Sequence, residues 1–466
     1  MVLLVALRPP PPPEPEAGDF VLPGVTIVNP GRGRRERVDL SVEGDAIAAI
    51  ATELEGQRLD RYAGAFVLPG LIDLHTHLPP DNALNLIPYS ALQYLAHGVT
   101  SIRESGDLDG TSVDAARKGM QGGEFPGPRL FACGPFVGGE SSRWSNTWLV
   151  SGPEDAAAVV RRVAEAGFDC LKIYDGIDAE TARALAAAAQ AAGLPAVGHV
   201  PGGVAYEDAL LPDTLHLLGV APPDTQDPDD LLSRKTDWQA VDDERMQAVV
   251  RLAAASDLAN TPTLVVAQQL LLFEDYEAAR HDPIVRMLPR FYRDVVWSPV
   301  EGIRLYRDID EHRLARARDA FDKKLRMVGL LHRAGARLHL GTDVGQPFVA
   351  PGISMHQEMA LFAQAGIPLE EVWAIATRRA GRALGVPKLG SLEPGAPADL
   401  LIFREDPTRD LAALDTLEAV VAGGVLYTGE SLASSQGAWQ AHFEGAVLDS
   451  LSVILSRRVI AGLQAD

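Results

Sequence analysis

A chain of 466 residues with 47% hydrophobic content is long enough for one large barrel plus a smaller domain. Its formal net charge of -21 and pI near 4.9 argue against nucleic acid or an anionic membrane surface as a partner. The two cysteines, Cys133 and Cys170, are too few for disulfides to organise the fold, and they leave the redox compartment open.

Met1–Leu7 is apolar but too short to span a bilayer, and it runs into Pro9–Pro13, which the composition reads as a polyproline II spacer. Residues 1–18 are thus a Pro-rich tail: either the remnant of an export signal or membrane anchor, or a cytoplasmic tail. No other stretch is apolar for long enough to insert in a membrane. Residues 19–68 read as short antiparallel strands, among them Val25–Asn29, Arg37–Val42 and Ala46–Ile50.

From residue 69 strands and helices alternate. The strands are Phe66–Leu78, Gly98–Arg103, Pro128–Cys133, Phe168–Tyr174, Pro195–His199, Thr214–Leu218, Asn260–Val266 and Arg337–Asp343. Two polar excursions interrupt them, Pro222–Asp243 and Gln268–Arg318, the second carrying Tyr276, Phe291, Tyr292, Trp297 and Tyr306. Strand–helix repetition of this kind predicts a (β/α)8 TIM barrel over 69–389, an α/β fold. Residues 390–430 return to strands, so a small β-sandwich domain is expected from 19–68 plus 390–430. In the tail, 431–466, Trp439, Phe443, Val447 and Leu451 recur at helical spacing and predict a docked face.

Barrel enzymes carry their chemistry at the C-terminal ends of the strands. The polar residues there are His75 and His77 on the first strand, Lys172 on the fourth, His199 on the fifth, His216 on the sixth and Asp343 on the eighth. His75 and His77 stand at i and i+2, so one strand face presents both imidazoles to one metal ion. A buried Lys172 shifts toward the neutral amine, which can add carbon dioxide to give a bridging carbamate; its alternative is an ammonium paired with Asp343. Asp343, flanked by Gly341 and Gly345, can take a proton from an activated water and return it to a leaving group. Tyr174 and Arg103 are candidates to hold substrate, and His356 to touch substrate or orient a ligand. His339 shares the parity of Asp343 and is placed in the barrel lining; His97 precedes Gly98 as a helix C-cap.

Pro69–His77, Gly98–Arg103, Leu171–Ile173, His199, His216, Gly341–Asp343, Ala376–Ala380 and Leu389–Leu400 together resemble the amidohydrolase superfamily of metal-dependent hydrolases. Their order is most similar to its imidazolonepropionase-related and prolidase-like (Xaa-Pro dipeptidase) branch. The resemblance implies two divalent ions, usually zinc. His75 and His77 would hold the first, His199 and His216 the second, carbamylated Lys172 would bridge them, and Asp343 would be ligand and acid/base. Two departures are Gly198-His-Val-Pro201, where many relatives carry His-x-His, and Leu215-His-Leu217, where many carry Glu-His. The expected activity is hydrolysis of an amide-type C–N bond in a dipeptide, N-acyl amino acid or cyclic amide. The alternatives are a lactonase or esterase, a mononuclear cyclic-amidine hydrolase, or a catalytically silent binding protein. A small-molecule substrate is expected, and a homo-oligomer is left open.

Overall fold

The computed structural model describes residues 8–463 except 83, 141, 143 and 308. Met1–Leu7, on which the export-or-tail question turns, lie outside the described residues. Pro9–Pro13 take no regular secondary structure and border a groove with Pro80, Leu86 and Trp439.

Both chain ends build one seven-stranded sheet. Its strands are β1 (Phe20–Asn29), β2 (Gly33–Glu43), β3 (Ala46–Ala51), β4 (Phe66–Pro69) and three from the far end of the chain. Phe20, Leu22, Ile27, Leu40, Ile47, Val67, Leu400, Ile402 and Val421 from its two halves bury into a single core. The alternating apolar positions in these strands supply that core. β4 runs directly into β5 (Leu71–Thr76), the first barrel strand, so the two domains share a continuous backbone at Pro69–Leu71.

The barrel strands after β5 are β6 (Val99–Glu104), β7 (Arg129–Ala132), β8 (Phe136–Gly138), β9 (Thr147–Leu149), β10 (Leu171–Ile173), β11 (Ala196–Gly198), β12 (Asp213–Leu215), β13 (Ala259–Thr261) and β14 (Arg337–Leu338). They pair in parallel, β5-β6-β7 on one side and β8-β10-β11-β12-β13-β14 on the other. The ring closes between the eighth strand and the first, where Leu74 N–H donates to Leu340 O at 3.0 Å. The three remaining strands of the terminal sheet are β15 (Leu400–Phe403), β16 (Leu417–Ala422) and β17 (Val425–Thr428).

Four sequence expectations change here. The third strand does not stop at Cys133: Gly134, at φ +68°, and Pro135 break it, and it resumes as β8. The seventh strand ends at Thr261, and Leu264–Gln269 is helical although Val265 and Val266 are β-branched. Glu358 decides this by accepting the N–H groups of Leu264 (2.9 Å) and Val265 (2.6 Å), the first donors of that helix. Cys133 and Cys170 form a disulfide, which sits with Val197 and Leu215 inside the barrel. Composition alone gave no sign that adjacent strand ends bring the two sulfurs together. In the tail, Trp439 and Phe443 dock on Tyr89, but Val447 is 42% exposed. The helix breaks at Gly445, whose extended backbone rotates the next helix, so Leu448 and Val453 take over the buried face. No helix among the described residues is long and apolar enough to cross a membrane.

Candidate metal centre

The C-terminal strand ends converge on Asp343. His75 Nε2 lies 3.2 Å and His77 Nε2 3.3 Å from its Oδ1; His216 Nε2 lies 3.7 Å from Oδ2. Ligand atoms of His75, His216 and Asp343 all fall within 4.8 Å of one another, close enough for a single ion. His199 packs against His216 with ring centroids 4.9 Å apart. Lys172 is 1% exposed and borders the same site.

The backbone is bent to achieve this. His216, Leu217, Thr263 and Asp343 all have φ between +48° and +59°, a region non-glycine residues seldom enter. At Asp343 the bend is held by two donors: Thr342 N–H at 2.9 Å and Asp343 N–H at 2.6 Å both reach His75 O. Asp73 locks the same seam, accepting from His75 N–H (3.1 Å), Thr342 N–H (3.1 Å) and the Thr342 hydroxyl (2.6 Å). A Cβ on Gly341 would stand 2.5 Å from His75 Cβ. The glycine therefore serves the approach of two strands rather than the approach of a ligand.

Two imidazoles are oriented through their far nitrogens. His77 Nδ1 faces Gly106 O (2.9 Å) and Glu104 Oε1 (3.3 Å), both acceptors, so Nδ1 carries the proton and Nε2 is the donor atom. His216 Nδ1 faces the Thr263 hydroxyl at 2.6 Å. Among the described residues the buried His75 Nδ1, His199 Nδ1 and Lys172 Nζ have no hydrogen-bond partner. Orphaned buried nitrogens are rare, and these three belong to side chains gathered at one site. That donor set, nitrogens and one carboxylate, suits a divalent ion such as zinc.

The electrostatics favour the neutral form at His75 and His199 and the charged form at His77. Burial drives His75 down to about 3, and burial with the Lys172 charge holds His199 well below its ordinary value. Neutral imidazoles are the form that binds metal. His77 moves up, to about 9: burial opposes its charge, but Asp343 and Glu104 outweigh burial. Burial also brings Lys172 down to about 7, despite the attraction of Asp343. Asp343 lies well below the usual carboxylate range; burial would raise it, and Lys235 and the histidines more than reverse that.

The profile of the Amidohydrolase family matches residues 66–427.

The chain belongs to the amidohydrolase family.

This makes it a hydrolase acting on carbon–nitrogen bonds. Among solved structures it is similar to the bottromycin amidohydrolase, with 26% identity, a TM-score of 0.71, and 92% of this chain and 91% of that one covered. A Xaa-Pro dipeptidase with bound methionine shares the fold at 19% identity and TM-score 0.63, over 88% of this chain and all of the other. An adenine deaminase of Kosmotoga olearia is 31% identical over 87 residues, only 17% of this chain and 15% of the deaminase.

The amidohydrolase brings six of the sequence candidates together: His75, His77, Lys172, His199, His216 and Asp343. Tyr174 is in the cavity wall, its hydroxyl accepting from Trp144 Nε1 at 3.0 Å. Arg103 is not available to substrate. It is buried beneath the site, donating to Leu74 O (2.6 Å) and to Asp213 Oδ2 (2.7 Å), and His339 joins the same carboxylate at 3.0 Å. Arg103 thus neutralises an aspartate inside the barrel, since its parity turns it inward below the strand ends. His356 is also remote. Its Nε2 donates to His97 O at 2.8 Å, because its helix packs against the end of the helix Leu86–Ala96.

Three residues escaped the sequence reading. Glu104 ends β6, one position beyond the predicted strand Gly98–Arg103. Thr263 lay inside the presumed seventh strand. Lys235 belongs to the helix Leu231–Thr236 within the first excursion, and its ammonium lies 3.3 Å from Asp343 Oδ2. Asp230 before Leu231 and Leu232 is an N-cap signal that marks this helix.

Above the centre opens a cavity of about 340 Å³. Its walls are largely apolar, with Leu78, Tyr89, Phe136, Trp144, Tyr292 and Trp297 among them. Tyr292 and Trp297 come from the second excursion, which therefore forms part of the wall over the site.

Proposed function

We propose that this amidohydrolase cleaves an amide-type C–N bond in a small substrate bearing a bulky apolar group. The observation that carries the reading is the convergence of three imidazole Nε2 atoms on one buried carboxylate at 3.2–3.7 Å, at the mouth of an apolar cavity. In this reading His75, His77, His199, His216 and Asp343 hold divalent metal, zinc by donor type, and Lys172 joins them as a carbamate. When bound, such ions polarise a carbonyl and lower the pKa of water.

The chain's own residues then do the following. Asp343, ionised at neutral pH, accepts a proton from the attacking water and passes it to the departing nitrogen. Lys235 keeps Asp343 ionised and turned toward the histidines. Glu104 and Thr263 fix the ring orientations of His77 and His216. Lys172, at about 7, reaches the neutral amine needed to add carbon dioxide without leaving the physiological range. The aromatic walls exclude bulk water and seat the apolar part of the substrate.

The test is elemental analysis of protein prepared with zinc and bicarbonate, for wild type and Lys172→Ala, beside a turnover screen of dipeptides, N-acyl amino acids, cyclic amides and lactones. Two ions per chain falling to one or none in the variant, with turnover of amides, support the reading. No turnover by fully loaded protein overturns it. A second reading, a mononuclear hydrolase of cyclic amidines, is favoured by one observation: only His75, His216 and Asp343 lie close enough for one shared ion among the described residues. One ion per chain in both proteins selects it.

A further inference from the structure

Residues 288–303 of the second excursion have two sides. Leu288, Tyr292, Val296, Trp297 and Ile303 line the large cavity. Arg290 and Glu301, on the same segment, instead meet the last helix of the chain, Ala446–Leu463. Arg290 donates from Nε and Nη2 to the two Asp449 carboxylate oxygens at 2.8 and 2.6 Å. Arg457 donates from Nε and Nη2 to the two Glu301 oxygens at 3.1 and 2.9 Å. Each contact is two-pronged, a geometry that fixes orientation as well as distance. The helix is itself anchored, with Leu448, Val453 and Ile460 in the main apolar core.

The wall has an irregular backbone that needs such support. Tyr292–Val296 is a single π-helical turn, closed where Trp297 N–H donates to Tyr292 O at 2.8 Å. Its wider winding brings residues five apart toward one side, so the Tyr292 and Trp297 rings lie 5.2 Å apart on the cavity wall. Turns of this kind are rare and concentrate at functional sites. Both ends of the segment are pinned to the body. Tyr89 donates its hydroxyl to Met287 O before it, and the Tyr306 hydroxyl meets the Gln346 side chain after it. Between those pins the two ion pairs tie the segment to the tail, while at its tip Val300 is 81% exposed.

We propose that the helix Ala446–Leu463 clamps the wall of the cavity, with Asp449 and Arg457 as positioning residues that keep Tyr292 and Trp297 over the candidate centre and so set a preference for substrates with a bulky apolar group. The Arg290 and Glu301 side chains are partly exposed, so water screens both pairs and each contributes modestly. Such a clamp holds the wall without freezing it: the segment opens to admit substrate and closes against its apolar part. The proposal rests on the reading above for the bond that is cleaved, though not for the clamp.

The first measurement is hydrogen–deuterium exchange, followed by mass spectrometry, of residues 288–303 in the full chain. Arg457→Glu and, separately, Asp449→Asn are expected to speed amide exchange there by about two- to fivefold, the usual worth of one exposed ion pair. Exchange of the barrel strands stays at the wild-type rate. Adding Glu301→Arg to Arg457→Glu rebuilds the pair with its charges swapped and returns the segment toward wild-type exchange. Unchanged exchange in both single variants, or faster exchange that the swapped pair does not reverse, overturns the proposal.

Turnover of phenylacetamide against acetamide separates the clamp from the hydrolase. The two amides release the same ammonia and differ only in the apolar group. A KM for phenylacetamide raised about two- to fivefold in Arg457→Glu, with kcat and acetamide turnover little changed and with recovery in the double variant, supports the clamp. Equal effects on both amides overturn its part in specificity. Faster exchange of residues 288–303 in the variants, with no turnover of either amide by wild type, keeps the clamp and counts against the hydrolase.

Discussion

Thr263 places its hydroxyl oxygen 2.6 Å from Nδ1 of His216, and this contact fixes which nitrogen of the ring faces Asp343. Thr263 can do so because it stands at φ +48°, in the turn where β13 gives way to a helix. Glu358, more than ninety residues further along the chain, accepts the next two backbone N–H groups and holds that turn. A buried carboxylate thus acts on the candidate metal centre without touching it.

Replacing Thr263 with Val removes the acceptor of His216 Nδ1 while keeping the β-branched shape. Outer partners of ligating histidines commonly affect metal affinity by about 10–100-fold. Zinc affinity, measured by competition with a chromogenic chelator, should fall within that range, and Glu358→Gln should follow in the same direction. Unchanged affinity in both variants would show that the Thr263 contact is incidental.

Asp343→Asn keeps the shape of the carboxylate and removes its capacity to accept a proton. Acid–base groups of this kind contribute about 10²–10⁴-fold. Turnover should drop by at least that much, and elemental analysis of the same sample shows whether metal remains. Activity near wild type with metal retained would assign the proton transfer to another group.

Lys324 makes stability depend on pH. Its folded value of about 7 lies below the ordinary 10.5, so the folded state resists protonation. The penalty is fully present below about 7 and disappears as pH rises toward 10.5. From this group stability should increase across that interval by up to about 1.4 kcal/mol per pH unit. Melting curves of Lys324→Met should lie above wild type at pH 7 and approach it by pH 10. Parallel curves at all pH values would mean that Lys324 titrates normally.

The Cys133–Cys170 disulfide spans a sequence separation of 37 and ties the third barrel strand to the fourth, two residues before Lys172. Closing a loop of that length in the unfolded chain is worth roughly 3–4 kcal/mol. Melting in a strong reductant, or of Cys133→Ser with Cys170→Ser, should fall by several degrees. A thiol count of two in the native oxidised protein would contradict the bond outright.

The amino-acid sequence by itself determined the fold class and the six residues gathered at the candidate centre. Both follow from local rules. Apolar strands alternating with amphipathic helices make a barrel. The residue that ends each apolar strand faces its mouth, so His75, His77, Lys172, His199, His216 and Asp343 could be found by looking at strand ends. What only the tertiary structure decided depends on approaches between residues distant along the chain. Arg103 was turned inward to Asp213, 110 residues away, and His356 to His97. Cys133 met Cys170 across neighbouring strands. Lys235 reached Asp343, 108 residues away. Periodicity reports which way a side chain faces on its own element. It carries no record of which other element arrives there, and that meeting sets the charge, burial and partners on which the chemistry depends.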